Sequence, residues 1–403
     1  MEITSKKSGI RSYLSGMLLL FVLAHFFHHL IPGLLNPLLP YIREEFSLSN
    51  TQIGWLTSAF TLTYGFSQLP IGWLADRIGS RWVVTMGVFG VAVMGFLTGL
   101  SPTFPILVIC MILMGIIGGG YHSAAAPQIS DSTAPENRGA ALGIHQAGGS
   151  ASPFIVPVAA AAVAVAFGGW RSSFIVISIP GIVFGVIAFL LMGKSKRMTR
   201  PQAKEEKSAM APANADSLTK VGAFIVLSVI GQAIIQTVTT FIPVFMVSRF
   251  KTSKETAAVW LTIARSGGML AGPLGGLLSD RIGKLNIMVV ASLLVSPAIY
   301  LINLMPYGVP LGAVLILIVM VQYVRMVISE SYIISQIAES KRSTALGVYY
   351  FASRGAPGLT APLLGFLFDH LSFGSALGLT GLTMFVTTLA LSPVLLKRKR
   401  VAG

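Results

Sequence analysis

Three arginines interrupt long apolar segments in the second half of the chain: Arg265, Arg325 and Arg354. A guanidinium keeps its proton in proteins, so burying it without a partner is costly. Glu330 is the one acid among them, and it follows Arg325 by five residues, about 140° around a helix, where the two do not pair directly. Three cations and one anion favour a site where arginine binds an anionic ligand bidentately. The alternative is that the arginines bond helix carbonyl groups and brace the packing.

The apolar segments of the first half carry five of the six histidines: His25, His28, His29, His122 and His145. The first three share one helix face, because their spacings are three and four. Three interpretations stay open: proton carriers, transition-metal ligands, or neutral groups that tie helices together. No carboxylate accompanies them in the apolar segments of this half, so we expect no metal and no cofactor. The candidate proton-coupling residues are Glu330, His28 and His122.

Neutral polar side chains in the same apolar segments are candidates to complete a binding site. Gln232 and Gln236 share one face of a helix, because they are four residues apart. The full predicted substrate-binding set is Arg265, Arg325, Arg354, His25, His29, Tyr121, His122, His145, Gln146, Gln232, Gln236 and Gln322.

The composition of the chain predicts the membrane-spanning helices that position these residues. Hydrophobic residues make up 54% of the 403 residues and charged residues 11%, with a mean hydropathy of +0.77. A soluble domain carries about a quarter charged residues, so this chain is predicted to be an all-α membrane protein. A crossing helix needs roughly 20 apolar residues. Twelve segments of about that length or longer lie near 13–39, 52–75, 82–100, 104–130, 139–167, 172–193, 221–247, 256–279, 285–304, 309–336, 343–368 and 373–396.

The basic residues concentrate in alternate loops. If both termini are cytoplasmic, 21 of the 29 lysines and arginines lie inside and five lie in outside loops. This bias follows the positive-inside rule, so we predict a multi-pass protein of the cytoplasmic (inner) membrane with both termini inside. The formal charge of +15 is then mostly a topology signal. We therefore expect the lipid bilayer as a partner and no nucleic acid.

Two further observations exclude kinds of chemistry. Cys110 is the single cysteine, which leaves no internal disulfide and no metal site built on cysteine. A glycine-rich phosphate loop with its lysine is missing from the sequence, so ATP does not drive the protein directly. We predict that the protein is not an enzyme.

One segment of the chain occurs twice, at an offset of 204 residues. Residues 72–81 read Gly-Trp-Leu-Ala-Asp-Arg-Ile-Gly-Ser-Arg, and residues 276–284 read Gly-Leu-Leu-Ser-Asp-Arg-Ile-Gly-Lys. Residues 138–143 and 342–347 form a second pair at the same offset. Internal duplication is typical of secondary transporters. The predicted domains are a six-helix bundle at 1–193, a cytoplasmic linker at 194–220 and a second six-helix bundle at 221–403.

The pattern at 72–81 resembles the signature loop of the major facilitator superfamily, and its weaker copy is expected at 276–284. The resemblance implies two pseudo-symmetric bundles around a cavity that opens to alternate sides, with helices 1, 4, 7 and 10 around it, flanked by 2, 5, 8 and 11. Asp76 and Asp280 would each lie near the N-terminal end of a helix in the other half and latch the outward-open state. The alternative is that these charged residues only form a solvated turn that ends two helices. The predicted gating residues are Gly72, Asp76, Arg77, Gly79, Arg81, Arg138, Gly276, Asp280, Arg281, Gly283 and Arg342.

A narrower resemblance is to fosmidomycin-resistance-type exporters. It rests on Tyr121-His122 in the fourth segment and on His145-Gln-Ala-Gly-Gly149 in the fifth. Ser123 stands where that family usually has proline.

These patterns predict a secondary active transporter that moves a small organic anion, of carboxylate, phosphonate or sulfonate type, by rocker-switch alternating access. The alternative is a proton-coupled exporter of drugs or toxic metabolites. A sensor or scaffold with the transporter fold is a third hypothesis. The expected partners are a small anionic solute and, in the coupled case, protons, and the expected state is a monomer.

Overall fold

The computed structural model describes residues 16–133, 137–192, 215–336 and 342–397. Within these ranges all regular structure is helical. Some helix residues are described by their backbone alone: 16, 76, 127, 130, 131, 138–140, 215–218, 269, 270, 272–274, 276, 280, 334 and 342–346.

Six rods form the first half. Three of them are interrupted: the first at residue 34, the third by a π-helix and the fourth at 119–120. The helices are α1 (Gly16–Gly33) and α2 (Leu35–Phe46), α3 (Asn50–Ile78), α4 (Ser80–Thr85), the π-helix (Met86–Gly90) and α5 (Val91–Gly99), α6 (Phe104–Gly118) and α7 (Tyr121–Asp131), α8 (Arg138–Phe167), and α9 (Trp170–Leu191).

Six continuous helices form the second half. They are α10 (Ala215–Phe250), α11 (Lys254–Ile282), α12 (Lys284–Leu304), α13 (Val309–Gln336), α14 (Arg342–His370) and α15 (Phe373–Leu396). Helix α10 begins inside the predicted linker at 194–220, and residues 194–214 lie outside the described ranges. The predicted all-α architecture of twelve rods in two sets of six is confirmed.

Nine of the twelve rods are long and apolar enough to cross a membrane by length and hydropathy alone. The other three are α3, α11 and α14. These three helices contact the opposite half of the molecule, since α3 packs against α14 and α11 packs against α8. Their lower hydropathy follows from that position, because a helix between two bundles exposes less of its surface to lipid.

Small residues let α3 and α14 approach closely along most of their length. A Cβ added to Gly54 would lie 2.5 Å from the carbonyl oxygen of Ala361, and one added to Gly65 would lie 2.7 Å from the Cα of Gly355. The Ser58 hydroxyl donates a hydrogen bond across this interface to a backbone carbonyl. Glycine at such positions allows backbone contact that any side chain would prevent.

The internal duplication is visible in the backbone. Gly79 joins α3 to α4 with φ +94°, and Gly283 joins α11 to α12 with φ +91°. Residues other than glycine rarely adopt this conformation. At the start of the same two helices, Ser49 and Ser253 cap α3 and α11 through their side chains. Both pairs keep the offset of 204, so the repeated segments fold alike.

Candidate functional site

A cavity of about 230 Å³ lies between the two halves. Helices α1, α2, α3 and α8 line it from the first half, and α10, α11, α13 and α14 line it from the second. The described lining includes no residue of the fourth rod, which the family resemblance places around the cavity. Otherwise the lining helices are those that the resemblance implies.

The cavity lining preserves the duplication position by position. Several residues that line it have a partner 204 positions later that also lines it: His28 with Gln232, Asn36 with Thr240, Thr57 with Leu261, Thr61 with Arg265, Ser150 with Arg354, and Pro153 with Pro357. The two walls are therefore related by a pseudo-twofold axis. Their chemistry differs, because the arginines lie on one side only.

Arg265 and Arg354 both line the cavity. Among the residues that the structure describes, neither guanidinium has a hydrogen bond or an ion pair. No described residue of the lining is acidic. Two positive charges therefore face the cavity, and neither forms an ion pair with a described carboxylate.

Arg325 lies outside the cavity lining, which differs from the prediction. Its side chain is 2% exposed, and its Nη2 atom donates to the carbonyl oxygen of Leu227 at 2.8 Å. Its Nη1 atom donates to the Ser292 hydroxyl, and its guanidinium packs against Gly231. These contacts tie α13 to α10 and α12, so Arg325 braces helices, as the alternative interpretation held.

Glutamines form the neutral polar part of the lining. Gln146, Gln232, Gln236 and Gln322 all line the cavity, and their role in substrate binding stays a prediction. Gln322 donates from Nε2 to Oε1 of Gln236 at 2.7 Å, while its own Oε1 is buried without a hydrogen-bond partner. An unsatisfied buried oxygen at the cavity wall favours a ligand that carries hydrogen-bond donors, such as hydroxyl groups.

The histidines of the first half form a cluster at the edge of the cavity. His28 and His29 line the cavity, whereas His25, Tyr121, His122 and His145 do not. In three of the rings the Nδ1 atom lies close to a backbone carbonyl oxygen. His25 Nδ1 is 3.0 Å from the carbonyl oxygen of His145, His28 Nδ1 is 2.7 Å from that of Gly87, and His145 Nδ1 is 3.0 Å from that of Phe21. Because a carbonyl only accepts, each of these Nδ1 atoms carries the hydrogen.

Local breaks in the helices position this cluster. The carbonyl of Gly87 that binds His28 belongs to the π-helix, a form common at functional sites. The interruption between α6 and α7 at 119–120 immediately precedes Tyr121 and His122. The Tyr121 ring is fully buried and stacks on His28 at 4.3 Å between ring centroids. Tyr121 therefore packs against the histidine cluster on the side away from the cavity.

Tyr64 is a cavity residue that the sequence analysis did not select. Its hydroxyl lies 3.2 Å from Nε2 of His28, and because Nδ1 carries the hydrogen, the tyrosine is the donor. Thr57, Thr61 and Ser353 also line the cavity and were not selected. The offset of 204 is a signal that could have found one of these, Thr61, since it corresponds to Arg265.

Glu330, a predicted proton-coupling residue, lies outside the cavity lining. Its carboxylate is within electrostatic range of Arg354. Its role in coupling stays a prediction.

The predicted gating residues fall into two groups. Among those with described side chains, Arg77 stacks on Trp73 at 3.6 Å, Arg81 donates to the Phe189 carbonyl, and Arg281 is exposed. Gly72 lies beside Ser123, and Gly79 and Gly283 form the turns already described. The remaining residues lie outside the described side chains, so the predicted latches stay predictions: Asp76, Arg138, Gly276, Asp280 and Arg342.

Contacts between the halves close the face that the charge bias predicts to be outside. Asp369, at the end of α14, accepts four hydrogen bonds of 2.6–2.9 Å from the backbone and side chains of Asn50 and Thr51. Lys254 forms an ion pair with Glu44, and Tyr41 donates to Glu255. These contacts were not predicted, because each joins residues more than 200 positions apart.

Hydrogen bonding also changes the acidity of Asp369, which lies just beyond the apolar segment 343–368. Burial alone would raise the pKa of its carboxyl. The hydrogen bonds from Thr51 and Asn50 outweigh burial and hold the pKa below its usual range. The carboxylate is therefore ionised at neutral pH and neutralises the positive N-terminal end of α3.

The family model of the Major Facilitator Superfamily matches residues 21–328, so the chain belongs to this family. The family and the relatives described next are transporters, not enzymes. The chain is accordingly a multi-pass membrane protein of a transporter family.

Three relatives narrow the comparison. A probable L-galactonate transporter of Escherichia coli (strain K12) is 34% identical over 150 residues, 37% of this chain and 33% of the relative. A probable sulfoacetate transporter, SauU, of Cupriavidus necator is 33% identical over 173 residues, 41% of this chain and 39% of the relative. These two matches span between a third and two fifths of the relatives' length. The fosmidomycin resistance protein of Escherichia coli (strain K12) is 21% identical over 358 residues, 87% of this chain and 86% of that protein.

A solved structure shows the same fold. The bacterial homolog of the human lysosomal transporter Spinster, in an inward-facing and occupied conformation, superposes with a TM-score of 0.72 at 19% identity. The superposition covers 96% of this chain and 95% of that one. The predicted resemblance to the superfamily is confirmed over most of the chain, residues 21–328.

Proposed function

We propose that the protein moves a small organic anion across the membrane by alternating access, and that Arg265 and Arg354 bind the anion. The observation that carries the proposal is the pair of guanidiniums that line the cavity with no ion pair and no acidic residue in the described lining. Carboxylate and sulfonate groups match the geometry of arginine and form short charge-assisted hydrogen bonds with it. An anion between the two residues would satisfy both charges.

The neutral lining supports a hydroxylated or otherwise polar anion. Glutamines, threonines and Asn36 surround the arginines, and Gln322 has a buried oxygen without a donor. The printed names of relatives, L-galactonate, sulfoacetate and hexuronate transporters, are names of small anionic solutes. The cavity volume of about 230 Å³ lies below the range of about 300–1,000 Å³ that holds drug-sized ligands, which favours a small anion over a drug.

Binding measurements test the proposal without requiring transport. Calorimetric titration of the purified protein would use L-galactonate and sulfoacetate as anionic probes and galactose as the neutral control. We expect at least one anion to bind and galactose not to bind. Arg354→Gln and Arg265→Gln should weaken anion binding by about 10-fold to 100-fold, because a hydrogen bond to a charged group contributes about 1.5–3 kcal/mol.

Arg249→Gln is the matched control, because Arg249 is exposed at the end of α10 and does not line the cavity. It should bind the anion as the wild type does. Equal binding of the anion by the wild type, Arg265→Gln and Arg354→Gln would contradict the proposal.

Proton coupling is a second proposal, supported by the position of His28 at the cavity. His28 lines the cavity and accepts a hydrogen bond from Tyr64, so a proton gained there would change both the charge of the wall and this contact. Transport by reconstituted protein with an imposed pH gradient, and again after its collapse, tests the coupling. Transport that is unchanged by the collapse would reject it.

A further inference from the structure

Three imidazoles converge beside the cavity. His25 and His29 come from α1 and His122 from the first turn of α7. Each offers one ring nitrogen, and the three nitrogens lie within 4.8 Å of one another. The ring centroids are 4.9 to 5.3 Å apart. The helix spacing brings the first two together, and the break between α6 and α7 adds the third.

Two of these nitrogens lack a partner in the interior. The Nδ1 atom of His25 donates to the carbonyl of His145, so its Nε2 atom carries a lone pair. His25 is 0% exposed, and its Nε2 atom has no hydrogen bond. The Nε2 atom of His122 is also buried without a hydrogen-bond partner. A buried acceptor without a donor is costly, which indicates that a ligand completes this cluster.

Gly149 leaves the space that the His25 ring occupies. A Cβ at this position would lie 2.3 Å from Cε1 and 2.4 Å from Nε2 of His25. Any side chain on α8 here would push the ring away from His29 and His122. The neighbouring helix therefore accommodates the His25 ring in its present position only because residue 149 is a glycine.

We propose that His25, His29 and His122 form a three-histidine site for a divalent transition-metal ion of the Zn²⁺, Co²⁺ or Ni²⁺ type. Three imidazoles and one open position are a known ligand set for such ions. The bond from His25 Nδ1 to a carbonyl is the support that metal-binding histidines usually have, because it fixes the tautomer and the ring orientation. Rotations of the rings would bring each nitrogen to the zinc–nitrogen distance of roughly 2.0–2.1 Å.

The site faces the cavity through His29, which lines it. The open coordination position would accept an oxygen of an anionic solute, so metal and anion would support each other's binding. The sequence analysis expected no metal because the apolar segments of this half hold no carboxylate. Three neutral imidazoles remove the need for one.

Arg354 opposes a cation at this site. It lies within electrostatic range of His25, His29 and His122. Two positive charges in a medium of low dielectric constant repel each other. Arg354→Gln should therefore tighten metal binding while it weakens anion binding, and this opposite sign separates the metal site from the anion site.

The test is a titration of the purified full-length protein, carrying no polyhistidine tag, with Co²⁺ and Zn²⁺. We expect one equivalent of Co²⁺ to bind and to give the visible absorption of a tetrahedral nitrogen site, and Zn²⁺ to displace it. Because even second-sphere changes at metal sites cost about 10-fold to 100-fold in affinity, His29→Gln and His122→Gln should lose at least that much. His370→Gln is the matched control, because His370 is exposed at the end of α14.

Thermal unfolding without metal would show that each variant is folded before its affinity is compared. Gly149→Ala provides a second route to the same loss, because it displaces His25 without removing a ligand. The proposal is overturned if the folded wild type binds neither Co²⁺ nor Zn²⁺ saturably. It is equally overturned if His29→Gln and His122→Gln bind Co²⁺ as tightly as the wild type and His370→Gln do.

Discussion

Arg325 and Arg354 look alike in the sequence, since each is a lone arginine in an apolar segment, but their surroundings differ. Arg325 donates to Leu227 and Ser292, which are 98 and 33 residues away. Arg354 lines the cavity without a described hydrogen bond. The local sequence shows that each arginine is a costly charge in an apolar segment. It cannot show which of the two finds hydrogen-bond partners on other helices.

The two arginines should therefore give opposite results when each is changed to glutamine. Arg325→Gln should lower the free energy of unfolding by about 1–3 kcal/mol, because it leaves buried hydrogen-bond partners unsatisfied. Arg354→Gln should leave the unfolding temperature unchanged or raise it, and should weaken anion binding. Thermal unfolding and calorimetry on both variants check this crossed pattern. A stable Arg325→Gln variant that binds no anion would contradict the assignment.

At the scale of helices, the sequence predicted the rods well and their breaks poorly. Apolar length locates each crossing helix, because the bilayer fixes that length. Apolar length does not locate the π-helix at Met86–Gly90. The interruption at 119–120 falls in a run of three glycines, Gly118 to Gly120, which apolar length alone does not mark as a break. Yet these breaks position His28, Tyr121 and His122, so the histidine cluster was recognised as candidate residues and not as one site.

The contact between Asp369 at the end of α14 and the start of α3 joins two helices, and its strength should depend on pH. The lowered pKa means that the carboxylate is fully charged above the ordinary aspartate pKa of about 3.9. The stabilising contact is then present above that pH and is lost as pH falls through the lowered pKa. Hydrogen exchange of the Asn50 and Thr51 amides, corrected for the intrinsic rate, should show constant protection from neutral pH to roughly pH 5 and a loss at lower pH.

The same amides test the contact by mutation. Asp369→Asn should speed their exchange by about 5-fold, because losing an N-terminal cap costs typically about 1 kcal/mol. His370→Gln, at the neighbouring exposed residue, should leave their exchange unchanged. Equal protection in the wild type and Asp369→Asn would show that the carboxylate does not hold the two halves together at this face.

At the scale of the whole molecule, the repeat at offset 204 was the most informative sequence feature. It predicted the two halves, and the structure extends it to the capping serines, the positive-φ glycines and the paired lining residues. The sequence could not predict how the halves meet, because Tyr41, Asn50 and Asp369 find partners more than 200 positions away. Symmetry therefore fixes where the cavity lies, and the residues that break it, such as Ser150 and Arg354, determine its chemistry.

The central claim is that the protein transports an anion across the membrane. Arg265 and Arg354, which line the cavity without a described ion pair, bind that anion. Counterflow in proteoliposomes, with L-galactonate or sulfoacetate inside and the labelled anion outside, measures this most directly. We expect uptake by the wild type and by Arg249→Gln, no uptake of galactose, and at least a tenfold loss in Arg354→Gln. Anion uptake by Arg354→Gln at the wild-type rate would contradict the claim.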